Sequence, residues 1–174
     1  MEKSIIFIGR ICSGKSSLSK LVSEATGISK SSFGGYLAKL APILGLKSDR
    51  KSLQDLGQSL IDNDPEKFLI DVLEFSGSPD EIIFEGVRHK IIKEKIEENS
   101  KLAISFYIDV QSDVRFKRGV QRGDSNLSRE EFLKWDIHIV EMEIENLKQS
   151  CSYILDGNES LSKLRDQVLL YLKE

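Results

Sequence analysis

Residues 4–25 constrain this chain more tightly than any other stretch. Ser4–Ile8 is a short apolar run with the bias of a strand, and Ser17–Ala25 follows with the spacing of a helix. Between them residues 9–16 read G-R-I-C-S-G-K-S. A strand that turns this quickly into a helix, with glycine at Gly9 and Gly14, points successive backbone N–H groups inward and adds the partial positive charge of the helix N-terminus. Phosphate oxygens match that concavity. The spacing G-x-x-x-x-G-K-[ST] is met by Gly9, Gly14, Lys15 and Ser16 in the strand-loop-helix setting that gives the pattern its meaning. On this reading Lys15 reaches the β- and γ-phosphates of ATP, the Ser16 hydroxyl ligates Mg²⁺, and Cys12, Ser13 and Ser17 complete the cradle. Cys12 either packs as a small residue or carries a redox role, since nothing in the sequence fixes its thiolate state.

The remainder alternates short apolar runs with longer stretches of helical period, the pattern of βαβ units and a parallel sheet. Strands are expected at Glu81–Phe84, Ala103–Ile108 and Tyr153–Leu155, with a weaker one at Ser29–Ser32. Helical stripes run through Leu53, Leu56, Leu60 and Ile61, and through Phe68, Leu69, Val72 and Leu73. Leu133, Ile137, Val140, Ile144 and Leu147 form another, and Leu161, Leu164, Val168 and Leu172 the last. All four stripes are read as core. Asp64-Pro65 marks a helix start, Ser78-Pro79-Asp80 a turn, and Pro42 the kink or end of a helix beginning near Tyr36.

A chain of 174 residues, 40% of them hydrophobic, suits one compact domain. A net charge of −3 from interleaved acids and bases gives no reason to expect nucleic acid or a membrane as partner. The two cysteines, Cys12 and Cys151, cannot build a disulfide framework, and no apolar run approaches the length that spans a bilayer. A cytoplasmic protein is expected.

In a doubly wound sheet, ligands sit at the carboxyl ends of the strands, so Glu85-Gly86-Val87-Arg88 should face the same crevice as the phosphate loop. Glu85 can hold a Mg²⁺-bound water or take a proton, and Arg88 can grip a phosphate with two parallel hydrogen bonds. Downstream, Arg115, Arg118 and Arg122 recur at helical spacing and share a face. Such a cluster calls for an anion, and a transferring phosphoryl group is one. After the turn at Gly123–Asn126, Ser128 caps a helix with Glu131 in the reciprocal position. Asp156-Gly157-Asn158 has the chemistry of a tight turn, and His89 and His138 have no partner motif.

Together these segments resemble, in order along the chain, the P-loop nucleoside monophosphate kinases. Glu85-Gly86-Val87-Arg88 is similar to that family's Asp-Gly-x-x-Arg, with Glu for the usual Asp; deoxynucleoside kinases instead use a Glu in this region as a base on a hydroxyl. Asp49–Gly57 resembles the R-x-x-L-Q-x-x-G stretch of the deoxynucleoside monophosphate kinase-like group, which implies that Arg50 touches the acceptor phosphate and Gln54 its base or sugar. Phe33–Lys39 occupies the place of the Gly-Asp-x-x-Arg helix, with Lys39 where arginine is expected. Phe33 and Tyr36 either stack on a base or join the core.

The resemblance implies a three-layer α/β/α P-loop NTPase fold spanning 1–174, with a five-stranded parallel sheet ordered 2-3-1-4-5. It implies acceptor-binding helices over 33–76 and a short lid over 115–130. Arg118 and Arg122, supported by Arg115, act there as lid arginines, and Gly157 contacts adenine through its backbone. The function so implied is ATP- and Mg²⁺-dependent phosphoryl transfer to a small phosphorylated acceptor, a nucleoside or deoxynucleoside monophosphate, by a monomer or homodimer. A kinase acting on a hydroxyl and a nucleotide-dependent switch stay open as alternatives.

Overall fold

The computed structural model describes residues 1–122, 127–137 and 139–173. Strands β1 (Lys3–Ile8), β2 (Ser29–Ser32), β3 (Glu81–Glu85), β4 (Leu102–Asp109) and β5 (Tyr153–Asp156) form one parallel sheet in the order β2-β3-β1-β4-β5. This is the expected order. β1 is hydrogen-bonded to β3 on one side and β4 on the other, so the chain leaves its carboxyl end at the point where successive crossovers run in opposite directions. A crevice opens at that point.

Helices cover both faces of the sheet, and for that reason β1 reads as a continuous apolar run. Ile5, Ile6, Phe7 and Ile8 are all fully buried. Ile6 and Ile8, with Ile82, Phe84 and Tyr107, pack beneath α2 (Phe33–Ile43), α3 (Arg50–Asn63), α4 (Pro65–Phe75) and α5 (Lys90–Glu98). Ile5 and Phe7, with Ile83, Phe106 and Ile108, pack against α1 (Lys15–Thr26) and α9 (Leu161–Tyr171). Each such side chain stabilises the fold by at most about 1.5–3 kcal/mol, the upper bound set by an extended unfolded chain.

Local signals hold where they rest on neighbouring residues. Asp64 caps α4 by accepting the Lys67 N–H at 2.9 Å, Pro65 takes the first helical position, and α2 stops one residue past Pro42. The capping box of Ser128 and Glu131 opens α7 (Arg129–Asp136). Phe33 and Tyr36 join the core, both packed on Phe68.

Two readings need correction. The stripe from Leu133 to Leu147 belongs to two helices, α7 and α8 (Ile139–Leu147), and it is not a single buried face. Leu133 and Ile137 are exposed, whereas Phe132, Ile144 and Leu147 are buried. At the break, Asp136 ends α7 with its carboxylate ion-paired to the buried Arg115 and to the half-buried Arg10. Leu161 is likewise exposed at the first turn of α9, while Leu164 and Val168 carry the packing. α5 was not foreseen, although Ile92 and Ile96 form its buried side. His138 lies outside the described residues. Among those described, no helix is long and apolar enough to cross a membrane.

Candidate active site

At the carboxyl end of β1 the phosphate loop closes on itself. Cys12 adopts a left-handed backbone (φ 59°) that only a few per cent of non-glycine residues share, and Gly14 follows at φ 98°. The loop faces a cleft of about 600 Å³, within the range of small-molecule sites. Lys15, Ser16 and Cys12 line one wall; Glu85, Gly86 and Arg88 line another. Phe33, Leu37, Leu53 and Phe68 supply an apolar floor, and Arg50, Gln54, Arg122 and Trp135 are also among the lining residues.

Lys15 is folded back over the loop. Its ammonium donates to the Gly9 carbonyl at 2.5 Å and the Arg10 carbonyl at 2.8 Å. Burial, and then the nearby Arg88 guanidinium, lower its pKa to about 7, against the raising influence of Glu141 and Glu85. A triphosphate in the loop supplies the missing counter-charge, so binding should restore the proton. Calorimetric titration of ADP near pH 8 in buffers of differing ionisation enthalpy will therefore show net proton uptake. ATP affinity will fall as pH rises above about 7. Binding heats independent of the buffer would sink this assignment.

Cys12 is half-buried and lines the cleft. Burial pushes its thiol up despite the neighbouring Arg122, Arg50, Lys15 and Arg115. Such a shift disfavours the thiolate, and the side chain packs against the cluster of Ile11, Leu127 and Phe132.

Glu85 ends β3 and is buried. It accepts the Ser19 hydroxyl at 3.0 Å, and Lys30 lies 3.5 Å away. These partners orient its carboxylate beside the loop. Mg²⁺ bound with a nucleotide usually keeps several waters and needs only one or two protein oxygens besides the phosphates. The exposed Ser16 hydroxyl and the Glu85 carboxylate, lining the same cleft, fit that demand.

The arginine face expected on α6 (Ser112–Gln121) divides into separate tasks. Arg122 lines the cleft. Arg118 does not; it donates to the Ser13 carbonyl at 3.1 Å and the Gly157 carbonyl at 2.7 Å, and so ties the phosphate loop to the β5–α9 turn. Arg115 is corrected from substrate binding to architecture. It is buried, forms a two-pronged ion pair with Asp136 at 2.5 and 2.8 Å, and donates to the Val110 carbonyl at 3.1 Å. No ligand could reach its fork. Lys39 is corrected too, since it stands exposed on α2 and is not among the cleft's lining residues.

Gly157 earns its identity by close approach. A Cβ there would lie 2.3 Å from Val110 Cγ2, 2.7 Å from Ile108 Cγ2 and 2.9 Å from the Asp109 carbonyl. Its own N–H donates to that carbonyl at 2.7 Å. Gly157→Ala will therefore overpack this turn at a cost of about 1–3 kcal/mol. Thermal melts should show a loss of about 2–4 °C per kcal/mol, and an unchanged midpoint would contradict the packing.

Sequence reasoning missed Glu141, Trp135, Asp136, Lys30 and a cleft role for His89. Glu141, on α8, is fully buried. It accepts the Ile11 N–H at 2.8 Å and is ion-paired to Arg88, with Arg50 at 3.6 Å. His89 is largely buried, lines the cleft and meets Glu143 at 3.1 Å, while burial lowers its pKa. None of these carried a signal in the sequence, since even an acid on an expected core helix, such as Glu141, reads as a solvated position.

Solved structures share this architecture across nearly the whole chain. A shikimate kinase from Aquifex aeolicus is 17% identical, with 98% of this chain and 96% of that one aligned at a TM-score of 0.64. A gluconokinase from Sinorhizobium meliloti is 17% identical over 97% and 90%, with a TM-score of 0.66. The chain has the fold of the P-loop kinases. A deoxyadenosine kinase from M. mycoides, solved with bound dATP, is 14% identical over 98% and 99%, at 0.60. No protein-family model and no curated protein sequence matches the chain.

Proposed function

We propose that this P-loop kinase fold transfers the γ-phosphoryl group of ATP, with Mg²⁺, to a small anionic acceptor, by preference a nucleoside or deoxynucleoside monophosphate. The observation that carries the reading is the convergence of Arg50 and Arg88. They come from α3 and from the loop after β3, yet both line the cleft that Lys15 lines and both meet the buried Glu141. Two guanidiniums over an apolar floor suit an acceptor with an anionic head and a flat apolar body. The solved neighbours are named as kinases of small molecules, in keeping with this reading.

In the proposed reaction Lys15 leaves the Gly9 and Arg10 carbonyls and meets the β- and γ-phosphates, and Arg122 faces the transferring group. Arg50 and Arg88 hold the acceptor's anion so that its attacking oxygen lies in line. Such transfer is achieved mainly by positioning and charge stabilisation. Mg²⁺ held through Ser16 and Glu85 would neutralise developing charge on the phosphates. The enzyme would work in the cytoplasm as a monomer or homodimer, with neither nucleic acid nor a membrane as partner.

A second reading is favoured by Glu85, a buried carboxylate in the cleft that can take a proton from an acceptor hydroxyl. An ADP-release screen over nucleoside monophosphates, nucleosides and hydroxy acids, with Lys15→Ala as the blank, separates the two. Turnover with monophosphates supports the preferred acceptor. Turnover with unphosphorylated acceptors alone transfers the assignment to the hydroxyl reading, and ADP release that no acceptor stimulates defeats both.

A further inference from the structure

Glu141 is the one fully buried carboxylate among the described residues that meets both the acceptor arginines and the phosphate loop. Its two oxygens divide the work. Oε1 takes Arg88 and, at 3.6 Å, Arg50; Oε2 takes the Ile11 N–H at 2.8 Å. Burial alone would raise its pKa, but Arg88, Lys15 and the Ile11 N–H outweigh that and hold it low, so it stands as a carboxylate.

We propose that Glu141 is a positioning residue, a fixed post that gathers Arg50 and Arg88 into one anion-gripping pair and registers that pair against the phosphate loop. This rests on the kinase reading above. Two guanidiniums turned toward one cleft repel each other unless a charge lies between them, and Glu141 supplies it. It cannot serve as a removable plug, because its departure would leave the Ile11 N–H and two cations without their buried partner. A guanidinium has five N–H donors, so Arg88 can bond Glu141 and still present donors to a ligand. Arg50 also lies over the ring of Trp135 at 5.0 Å, and Trp135 is the chain's single tryptophan. The pair therefore has a built-in optical reporter.

The test titrates inorganic phosphate into the full-length protein with the phosphate loop filled by saturating ADP, following Trp135 fluorescence. Glu141→Gln keeps the size and an oxygen for the Ile11 N–H but removes the charge. It should weaken phosphate by about tenfold or more, the scale of one charge-assisted hydrogen bond, and Glu141→Asp by a smaller factor. With an acceptor found by turnover, Glu141→Gln should raise KM for that acceptor by a clearly larger factor than KM for ATP, a split that a general loss of structure does not produce. Equal or tighter phosphate binding by Glu141→Gln overturns the proposal, as does a wild-type protein with no saturable phosphate response. If Glu141→Gln does not fold, Glu141→Asp decides alone: about threefold weaker binding supports the post, and unchanged binding overturns it. Wild-type protein inert toward every acceptor would defeat the kinase reading, while the phosphate titration would still decide on Glu141.

Discussion

Lys15→Ala will yield a folded protein whose phosphoryl transfer is slower by about 10²- to 10³-fold, the usual cost of deleting one preorganised group at developing charge. The variant should also melt no lower than its parent at neutral pH. The Lys15 ammonium is held in a setting that lowers its pKa from 10.5 to about 7, so the folded state tolerates the charge less well than the unfolded chain does. That burden is full below about pH 7 and fades between there and pH 10.5, because the folded protein then binds fewer protons than the unfolded one. The alanine variant carries no such burden. Its melting advantage should be greatest at or below pH 7 and shrink as the pH rises. Two measurements check this: ADP release with the acceptor found by the screen, and melting temperature against pH. Turnover within about tenfold of the parent would remove Lys15 from the chemistry. A melting point below the parent's at every pH would make its bonds to Gly9 and Arg10 structural.

The phosphate loop and the sheet were legible because their signals are local. Gly9, Gly14, Lys15 and Ser16 lie within one turn of chain, and the strand runs alternate with helices at the period the backbone imposes. The site's other half was legible only as residue types. Arg50 and Arg88 were expected on an acceptor phosphate and do line the cleft; Gln54 lines it as well. Spacing placed Arg115, Arg118 and Arg122 on one helical face but could not say at what depth. Depth depends on partners distant in sequence: Asp136 for Arg115, and the Ser13 and Gly157 carbonyls for Arg118. Glu141 was invisible for the same reason. An acid within an amphipathic stripe reads as solvated, and only tertiary packing brings it against Ile11, Arg88 and Arg50.

The largest stability effect is expected at Asp136. Its carboxylate accepts both terminal nitrogens of Arg115, the Ser112 hydroxyl at 3.2 Å, and an ion pair with Arg10 at 3.1 Å. The Arg115 side chain is only 3% exposed, so removing its partner strands a buried cation. Asp136→Ala should cost about 3–5 kcal/mol, a large part of the 5–15 kcal/mol that holds a typical domain together. Replacing both members with apolar residues, Arg115→Met with Asp136→Leu, should recover part of that loss. The recovery will be incomplete because the Val110 carbonyl loses the Arg115 donor. The pH dependence has a defined sign. Burial alone would raise the Asp136 pKa, but hydrogen bonds and charge from Arg115, with Arg10 and Ser112, hold it below 3.8. Its contribution is thus complete above pH 3.8 and is lost as the pH falls through the lower folded value. The gap between wild type and Asp136→Ala should be constant near neutrality and close in acid. Because Arg10 and Ile11 belong to the phosphate loop and Ile11 also meets Glu141, loss of Asp136 should loosen nucleotide binding before the fold melts. Denaturant and thermal melts of the two variants, read beside ADP affinity, decide the point: Asp136→Ala within about 1 kcal/mol of wild type would show that Arg115 finds water or another anion, and that Asp136 does not brace the phosphate loop.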